Sequence, residues 1–585
     1  LGEEFKFCYN KLMENQKIAH IFSEIADILE LQGVNRFRYL AYRRAAQTID
    51  MLSKDVRLIY DKNPSDFRKM PGIGEDLSNK IVEILETGQC AMHQELLAGF
   101  SKGLLELLTI RGLGPKKVKK FYDELGIDDV KKLKKAAENG ELAKLERMGE
   151  KSQTDILKAI GEHELHRERL LLHEAVSMAE DLVATMKQCP GVDRVEYAGS
   201  CRRGKETIGD IDILTTGSSH EKIIDYFVSH PQVDTILAQG DTKASVLLEE
   251  GVQVDLRVVA DESFGAALYY FTGSKEHNIH ARKLAISKGL KINEYGIFDG
   301  EKLLAGKTEE SIFKILGIPF IIPEMRRDDG EVEAALDDEL PHSIERSDIR
   351  GDLHVHTNWT DGKNSIQEMV AEAKRLGYEY IALTDHSPSV RVAHGMEPPR
   401  LLDYIRTIDA LNKKMTGITI LKGSEVDILG DGSLDYDDEL LAKLDLVNIS
   451  VHSKFNLTAA EQTARIVKAL SNPYVTVLNH PTGQIIKKRE PYLVDMVTVA
   501  RAAVAHRVAL EVNGSKRLDL NAGNIKLAKE HGAKFVISTD SHSVNSLENM
   551  RFGVMLARSG WLEAGDVLNT RPLGKMMEFW EGKRG

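Results

Sequence analysis

Two groups of residues in this sequence have the types and spacing to do chemistry. Asp210 and Asp212 stand two apart in DIDILTT, and Asp255 sits in VQVDLRVV, another run of strand-forming residues. Side chains at i and i+2 of a strand share a face, so an aspartate on a neighbouring strand can complete a three-carboxylate cluster. Close carboxylates repel unless cations share them. Hard oxygen ligands suit a pair of Mg²⁺ ions, which can clamp the attacking hydroxyl and the leaving pyrophosphate of a phosphoryl transfer. Asp-x-Asp alone would read as solvent-facing carboxylates at a sheet end. Here Gly199-Ser200 precedes it by nine residues and a third aspartate follows, so the metal reading is the stronger one.

The second group lies toward the C-terminus, with each member at the end of an apolar run. It comprises His354, His356 and Asp361 in DLHVHTNWTDG, Asp385-His386 in LTDHS, Glu425 in KGSEVDI, His452 in SVHS, His480 in NHP, and Asp540 with His542 in STDSH. Imidazole mixed with carboxylate suits Zn²⁺, Mn²⁺ or Fe²⁺ better than Ca²⁺, and this many donors can hold two to three ions. Such a site makes hydroxide near neutral pH and hydrolyses phosphoesters.

A third signal is a pair of glycine turns, Pro71-Gly72-Ile73-Gly74-Glu75 and Arg111-Gly112-Leu113-Gly114-Pro115, each leading into a helical stretch. Glycine permits a tight turn, and the helix that follows aims free N–H groups at an anion such as a DNA phosphate. One such turn is usually a plain connector. Two of them, the second followed by Lys116-Lys117-Val118-Lys119-Lys120, point to backbone binding.

The elements that must position these residues follow from periodicity. Residues 13–165 carry apolar residues at helical spacing, and the region from 190 to 260 changes to short β-type runs flanked by helices. Residues 324–347 are acidic, poor in apolar residues and broken by Gly and Pro, as expected of a linker. From 348 onward strand and helix patterns alternate, which predicts a parallel sheet or (β/α) barrel. The strand ends of a barrel converge on one face.

Composition sets bounds on all this. At 585 residues the chain is multidomain. With 42% hydrophobic and 29% charged residues and no apolar run long enough to cross a bilayer, a membrane protein is not expected. The start of the chain lacks a secretory layout, and Cys8, Cys90, Cys189 and Cys201 have no metal or redox spacing, so the cytoplasm is the expected location. The net charge of -12 argues against a nucleic-acid partner on average, but basic residues cluster at Arg36–Arg44, Lys116–Lys120 and Arg202-Arg203.

AGSCRRGKETIGDIDIL followed by YYFTGSKEHNIHARKLAISKGLKINEYGIF resembles the palm and thumb of family X (beta-type) DNA polymerases, and the glycine turns resemble that family's helix-hairpin-helix elements. The resemblance runs over roughly residues 14–320. It implies that Asp210 and Asp212 bind two Mg²⁺ or Mn²⁺ ions, and that Asp255 binds the catalytic one and serves as, or near, the base. Gly199, Ser200, Arg203 and Gly209 would hold the nucleotide triphosphate. Tyr270, Phe271 and Gly273 would form the turn beside the sugar, and Asn278 would touch the incoming base. Gly72, Gly74, Gly112, Gly114, Lys116 and Lys117 would bind DNA, and Lys80 matches the Schiff-base lysine of the family's abasic-site lyase activity. Ile208 and Ile279 depart from the pattern, standing where a serine and a lysine are usual.

The C-terminal motifs resemble a PHP (polymerase and histidinol phosphatase) domain. This implies nine metal ligands, His354, His356, Asp361, His386, Glu425, His452, His480, Asp540 and His542, and in polymerase fusions a 3′–5′ exonuclease, with abasic-site or 3′-end processing as a further capability. The fold expected is multidomain. A helical gap-binding domain spans 1–92, a helical fingers-like domain 93–165, an α+β nucleotidyltransferase palm 166–261 and a thumb 262–323. The linker of 324–347 and a PHP barrel of 348–585 follow. The function implied is gap filling in base excision repair by a monomer acting on gapped or primer-template DNA with dNTPs. The alternatives are a PHP domain working as a small-molecule phosphatase or regulatory module, and a non-catalytic gap-binding scaffold.

Overall fold

The computed structural model describes residues 18–19, 21–50, 56–87, 89–98, 102–110, 113–146, 148–167 and 169–583. The chain divides into two compact units, with the break between residues 167 and 168.

The first unit is helical and has two separate cores. One gathers Phe22, Ile25, Tyr42, Phe67, Ile81 and Ile84, and the other Leu107, Val118, Phe121, Leu133 and Ile160. Helix α1 (Glu75–Thr87) buries Leu77, Ile81, Ile84 and Leu85 at helical spacing. Helix α2 (Pro115–Leu125) starts on Pro115, whose missing N–H costs nothing at the first turn. It ends on Gly126 in the left-handed conformation.

The second unit begins with α3 (Leu172–Met186), packed on a five-stranded mixed sheet. Its strands are β1 (Val192–Tyr197), β2 (Asp210–Gly217), β3 (Val233–Gln239), β4 (Lys243–Leu248) and β5 (Gln253–Val258), in the spatial order β1-β2-β5-β4-β3. β2 and β5 run parallel, and the other pairs run antiparallel. Helices α4 (Phe264–Thr272) and α5 (Lys275–Ser287) lead to a small antiparallel sheet of β6 (Lys291–Asn293), β7 (Gly296–Asp299) and β8 (Lys302–Ala305), followed by α6 (Glu309–Leu316).

The segment 324–347, expected as a linker, is folded. It contains α7 (Glu331–Leu336), and Met325, Arg326, Glu331, Val332, Ala335 and Ile344 are all buried. Its buried charges are paired, Glu331 Oε1 lying 2.7 Å from His277 Nδ1 and Arg326 Nη1 2.7 Å from Glu309 Oε1, while Asp337, Asp338 and Glu339 stay exposed. Acidic composition read as tether, while pairing lets these groups be buried.

Seven parallel strands follow in sequential order: β9 (Gly351–Val355), β10 (Tyr380–Leu383), β11 (Thr419–Asp427), β12 (Leu446–Ser450), β13 (Val477–Leu478), β14 (Ala509–Asn513) and β15 (Phe535–Ser538). A parallel bridge between Val355 and Ser541 brings the first strand to the last, so the sheet closes as the barrel pattern predicts. Among the described residues no helix is long and apolar enough to cross a membrane.

Palm and barrel share one hydrophobic core that runs from Leu172 and Val176 through Val254 to Ile366, Phe552 and Val554. Helix α8 (Met550–Ser559) makes much of this junction. The His173 ring lies 4.0 Å from that of Phe552, its Nε2 donates to the Gly514 carbonyl at 2.9 Å, and Arg551 pairs with Glu180.

Candidate active sites

The palm site is set by strand register. Asp212 on β2 lies directly opposite Asp255 on β5, and Asp210 shares the Asp212 face two residues earlier. Burial, and then the charges of Asp210 and Asp255, push Asp212 up to about 7. A site that disfavours its own carboxylate charge is one prepared for cations. Asp255 accepts hydrogen bonds from Ser245 Oγ and Gln253 Nε2, which fix its orientation.

Gly199 opens the helical turn Gly199–Arg202 with φ +64°, and a Cβ there would sit 2.1 Å from Asp212 Oδ2. Ser200 is half-buried on this turn, and Arg203 closes it by donating to the Thr272 carbonyl. Arg203 Nε is buried without a hydrogen-bond partner. Gly209 precedes Asp210, with Arg169 Nη1 3.1 Å from where its Cβ would be. Tyr270 and Phe271 pack edge to face at the end of α4, Gly273 turns the chain at φ +69°, and Asn278 Nδ2 donates to the Tyr270 carbonyl at 2.7 Å. Asn278 Oδ1 is buried and unpaired. Ile208 is fully buried, whereas Ile279 is exposed.

Sequence reasoning missed what braces this site. Arg202 holds Glu309 through both oxygens at 3.0 and 2.6 Å and also reaches Thr272 Oγ1 at 2.7 Å. Arg326, fully buried, pairs with the same glutamate. Arg202 and Glu309 lie 107 residues apart in sequence, so no local pattern announces their pairing.

The barrel site assembles at the C-terminal strand ends. His354 and His356, alternate residues at the end of β9, place their Nε2 atoms 3.1 Å apart. Glu425 on β11 is the hub: its oxygens lie 3.5 Å from His354 and His356, 3.0 Å from His386, 3.5 Å from His452 and 2.8 Å from His480. Asp540 reaches His356 at 3.3 Å, and Asp361 reaches His386 at 3.4 Å and His542 at 3.3 Å. All nine expected ligands therefore meet. Seven of them form three overlapping donor groups, His356, Asp361, His386 and His542; His354, His356 and Glu425; and His386, Glu425 and His452, while His480 and Asp540 join through their contacts with Glu425 and His356.

The electrostatics suit cations. Burial works against the charge of Glu425, Asp361 and Asp540, yet the surrounding imidazoles hold all three well below the carboxylate range. Burial, with Arg517 adding to it, lowers His480 to about 4. His542, opposed by burial but supported first by Asp361, stands at about 9. His356 Nδ1 and His480 Nδ1 are buried without hydrogen-bond partners. A buried, neutral imidazole nitrogen with no partner fits a metal ion.

Two carboxylates missed or misjudged from sequence support the ligands. Glu511, on β14, accepts from His354 Nδ1 at 2.7 Å, from the His480 backbone N–H at 2.6 Å and from Asn513 Nδ2 at 3.1 Å. It thereby leaves His354 Nε2 free for a cation. Asp385, which shares the LTDHS motif with His386, accepts from Thr357 N at 3.0 Å, Thr360 N at 3.1 Å and Tyr404 Oη at 2.8 Å. It pins the loop that carries Asp361.

In the helical unit Gly72 takes φ +77° ahead of α1, and Gly74 and Gly114 have open space where a Cβ would be. Gly112 lies outside the described residues. Lys116 and Lys117 are exposed on the first turn of α2. Lys80 on α1 is opposed by burial, but Asp76 and Tyr42 keep its ammonium charged and its pKa above the usual lysine value. That is the reverse of what an amine nucleophile needs.

Comparison with known proteins bears on the domains that carry these sites. Residues 13–90 match a helix-hairpin-helix domain, 104–162 a SAM-like helix-hairpin-helix tandem, 267–327 the DNA polymerase beta thumb and 352–513 the PHP domain. The DNA polymerase/3′-5′ exonuclease PolX of Bacillus subtilis is 37% identical over 97% of this chain and 99% of its own length. The chain belongs to the PolX family. DNA polymerase lambda of Rattus norvegicus is 28% identical over 53% of the chain and 56% of its own length. A probable phosphatase of Thermoanaerobacter is 30% identical over 40% of the chain and 95% of its own length. The PolX match joins the two sites in one polypeptide, in the order seen here.

Proposed function

We propose that this protein is a template-directed DNA polymerase that fills short gaps, and that its barrel is a metal-dependent 3′–5′ exonuclease trimming the same ends. The carrying observation is the register of Asp212 against Asp255, with the cluster of histidine and carboxylate donors on the same polypeptide.

Asp210 and Asp212 would hold two Mg²⁺ or Mn²⁺ ions and Asp255 the catalytic one. Bound there, such ions supply charge stabilisation to the attacking and leaving oxygens. The chain's own residues do the rest. Asp255, oriented by Ser245 and Gln253, receives the primer hydroxyl proton. Arg203, whose Nε lacks a partner, offers its guanidinium to the triphosphate together with Ser200 and Gly209. Tyr270, Phe271 and Gly273 line the sugar side, and Asn278 presents its free carbonyl oxygen to the base edge.

The barrel would take two to three Mn²⁺, Zn²⁺ or Fe²⁺ ions, its donor set matching each. The turns at Gly72, Gly74 and Gly114, with Lys116 and Lys117, grip the DNA backbone without reading sequence. Lys80 is the candidate for abasic-site lyase chemistry on condition that bound DNA draws Asp76 and Tyr42 away from its ammonium, and we further infer a role in base excision repair, in the cytoplasm and as a monomer.

The test is a paired assay on gapped DNA with dNTPs. Asp255→Ala abolishes extension and leaves 3′-end degradation intact, and His354→Ala does the converse. Loss of both activities in either variant overturns the division of labour. The likeness of the barrel to a probable phosphatase supports a second reading, in which it acts on small phosphate esters. Hydrolysis of histidinol phosphate with no attack on a labelled 3′ end would establish that reading instead.

A further inference from the structure

Two loops beside the barrel's metal cluster carry more positive charge than the ligands and their supports use. One, residues 481–494, follows β13 and holds Lys487, Lys488 and Arg489; the other, residues 514–518, follows β14 and holds Lys516 and Arg517. Together they contain five basic residues and one acidic residue, Glu490, in a chain of net charge -12. Gln484 ties them, its Nε2 donating to the carbonyls of Arg517 at 3.0 Å and Leu518 at 2.8 Å. They border the cluster directly, since Arg517 Nε reaches the ligand Asp540 at 3.2 Å.

The cations are not ordinary surface charges. Arg489 lies flat over Phe455, 4.0 Å from its ring centre, and donates from Nε to the Gly483 carbonyl at 2.8 Å. Its Nη2 and the Nη1 of Arg517 are buried without hydrogen-bond partners. An unpaired guanidinium N–H is costly, and an anion removes that cost. Lys487, Lys488 and Lys516 are exposed and form no ion pair among the described residues. Two partly buried guanidiniums, one of them in contact with the cluster, and three exposed ammonium groups on the same two loops concentrate positive charge at this edge of the barrel.

We propose that these loops dock the sugar-phosphate backbone of a DNA strand whose 3′ end enters the metal cluster. Arg517 and Arg489 take the phosphates nearest the metals, and Lys487, Lys488 and Lys516 take those further along. The proposal rests on the exonuclease reading and adds to it the residues that hold the strand upstream of the scissile 3′ end. Guanidinium forks suit phosphate oxygens at close quarters, and lysines act as sequence-independent point charges.

The test uses the full chain with Mn²⁺ and two substrates: a 5′-labelled single-stranded oligonucleotide, and the p-nitrophenyl ester of thymidine 5′-phosphate, which has one phosphodiester and no further backbone. In Lys487→Ala/Lys488→Ala the KM for the oligonucleotide rises about ten-fold. The slope of its logarithm against log salt falls by about 1.4, as expected for two lost phosphate contacts on a single strand. Hydrolysis of the small ester stays within about two-fold of wild type. Unchanged oligonucleotide KM and slope overturn the proposal, and so does an equal loss on both substrates, which would mark a structural role. If the unaltered protein cleaves the ester but leaves the oligonucleotide whole, the exonuclease reading itself falls and takes the docking edge with it. Degradation unaffected by the substitutions removes the docking edge alone.

Discussion

His354 Nδ1 lies 2.7 Å from Glu511 Oε1, with both side chains fully buried. The carboxylate fixes which imidazole nitrogen faces the other ligands, and such partners contribute about 10- to 100-fold to metal affinity. Glu511→Gln is therefore expected to weaken Mn²⁺ binding by that factor. Titration of Mn²⁺ into the metal-free protein measures it directly. Exonuclease activity lost at limiting Mn²⁺ and recovered in excess, with gap filling unchanged, is the matching kinetic outcome; an unaltered Mn²⁺ dependence would refute it.

Gly199 leaves room for the Asp212 carboxylate, and no other residue can. Its φ of +64° disfavours L side chains, and a Cβ would meet Asp212 Oδ2 at 2.1 Å. In Gly199→Ala the aspartate must move by about an ångström, a displacement that costs on the order of a hundredfold in rate at a reacting centre. Gap filling falls accordingly while 3′-end degradation holds, as a side-by-side assay of both activities would show.

Asp212 links pH to metal binding at the palm. Its folded pKa, about 7, lies above the ordinary value of 3.8. A raised pKa stabilises the metal-free fold at low pH, and that stability is lost as pH rises through about 7. Mg²⁺ relieves the loss by neutralising the cluster. The increase in Tm on adding Mg²⁺ is larger at pH 8 than at pH 6 in the wild type, and this pH-dependent part disappears in Asp212→Asn. Identical Mg²⁺ effects at both pH values would contradict the account.

His173 at the junction of palm and barrel works in the opposite direction. Burial lowers its pKa from 6.5 to about 4, so it is neutral in the fold and charged in the unfolded chain between those values. Its stabilisation is full above about pH 6.5 and drains away toward pH 4. Thermal melts over this window should show a steeper loss for wild type than for His173→Gln, and parallel curves would assign the loss to other groups.

The convergence of the candidate metal ligands was legible because each is a strong donor type at the end of an apolar run, where barrel topology forces convergence. The same logic placed Asp255 against the Asp210 and Asp212 pair. Supports were harder to read. Glu511 looks like any charged residue in a short strand, and Asp385, adjacent to a true ligand, faces Thr357 and Tyr404 instead. Arg326, inside a stretch whose composition suggested solvent, is buried against Glu309 of α6. Lys487, Lys488 and Arg489 form a short basic run in a loop, and only the fold places them next to Lys516, Arg517 and the metal cluster. Long-range pairing, unlike periodicity, leaves no trace in local sequence.

The core that continues from Leu172 and Val176 into Ile366 and Val554 ties the two catalytic halves to a common fate. Cutting the gene between them would expose an apolar face on each product, so in this chain either half alone would need polar replacements on that face to stay folded and in solution. Damage alleles would follow the same rule. A cavity-forming lesion in α8 would deplete the polymerase along with the nuclease, and a genetic screen for either activity would recover mutations in both.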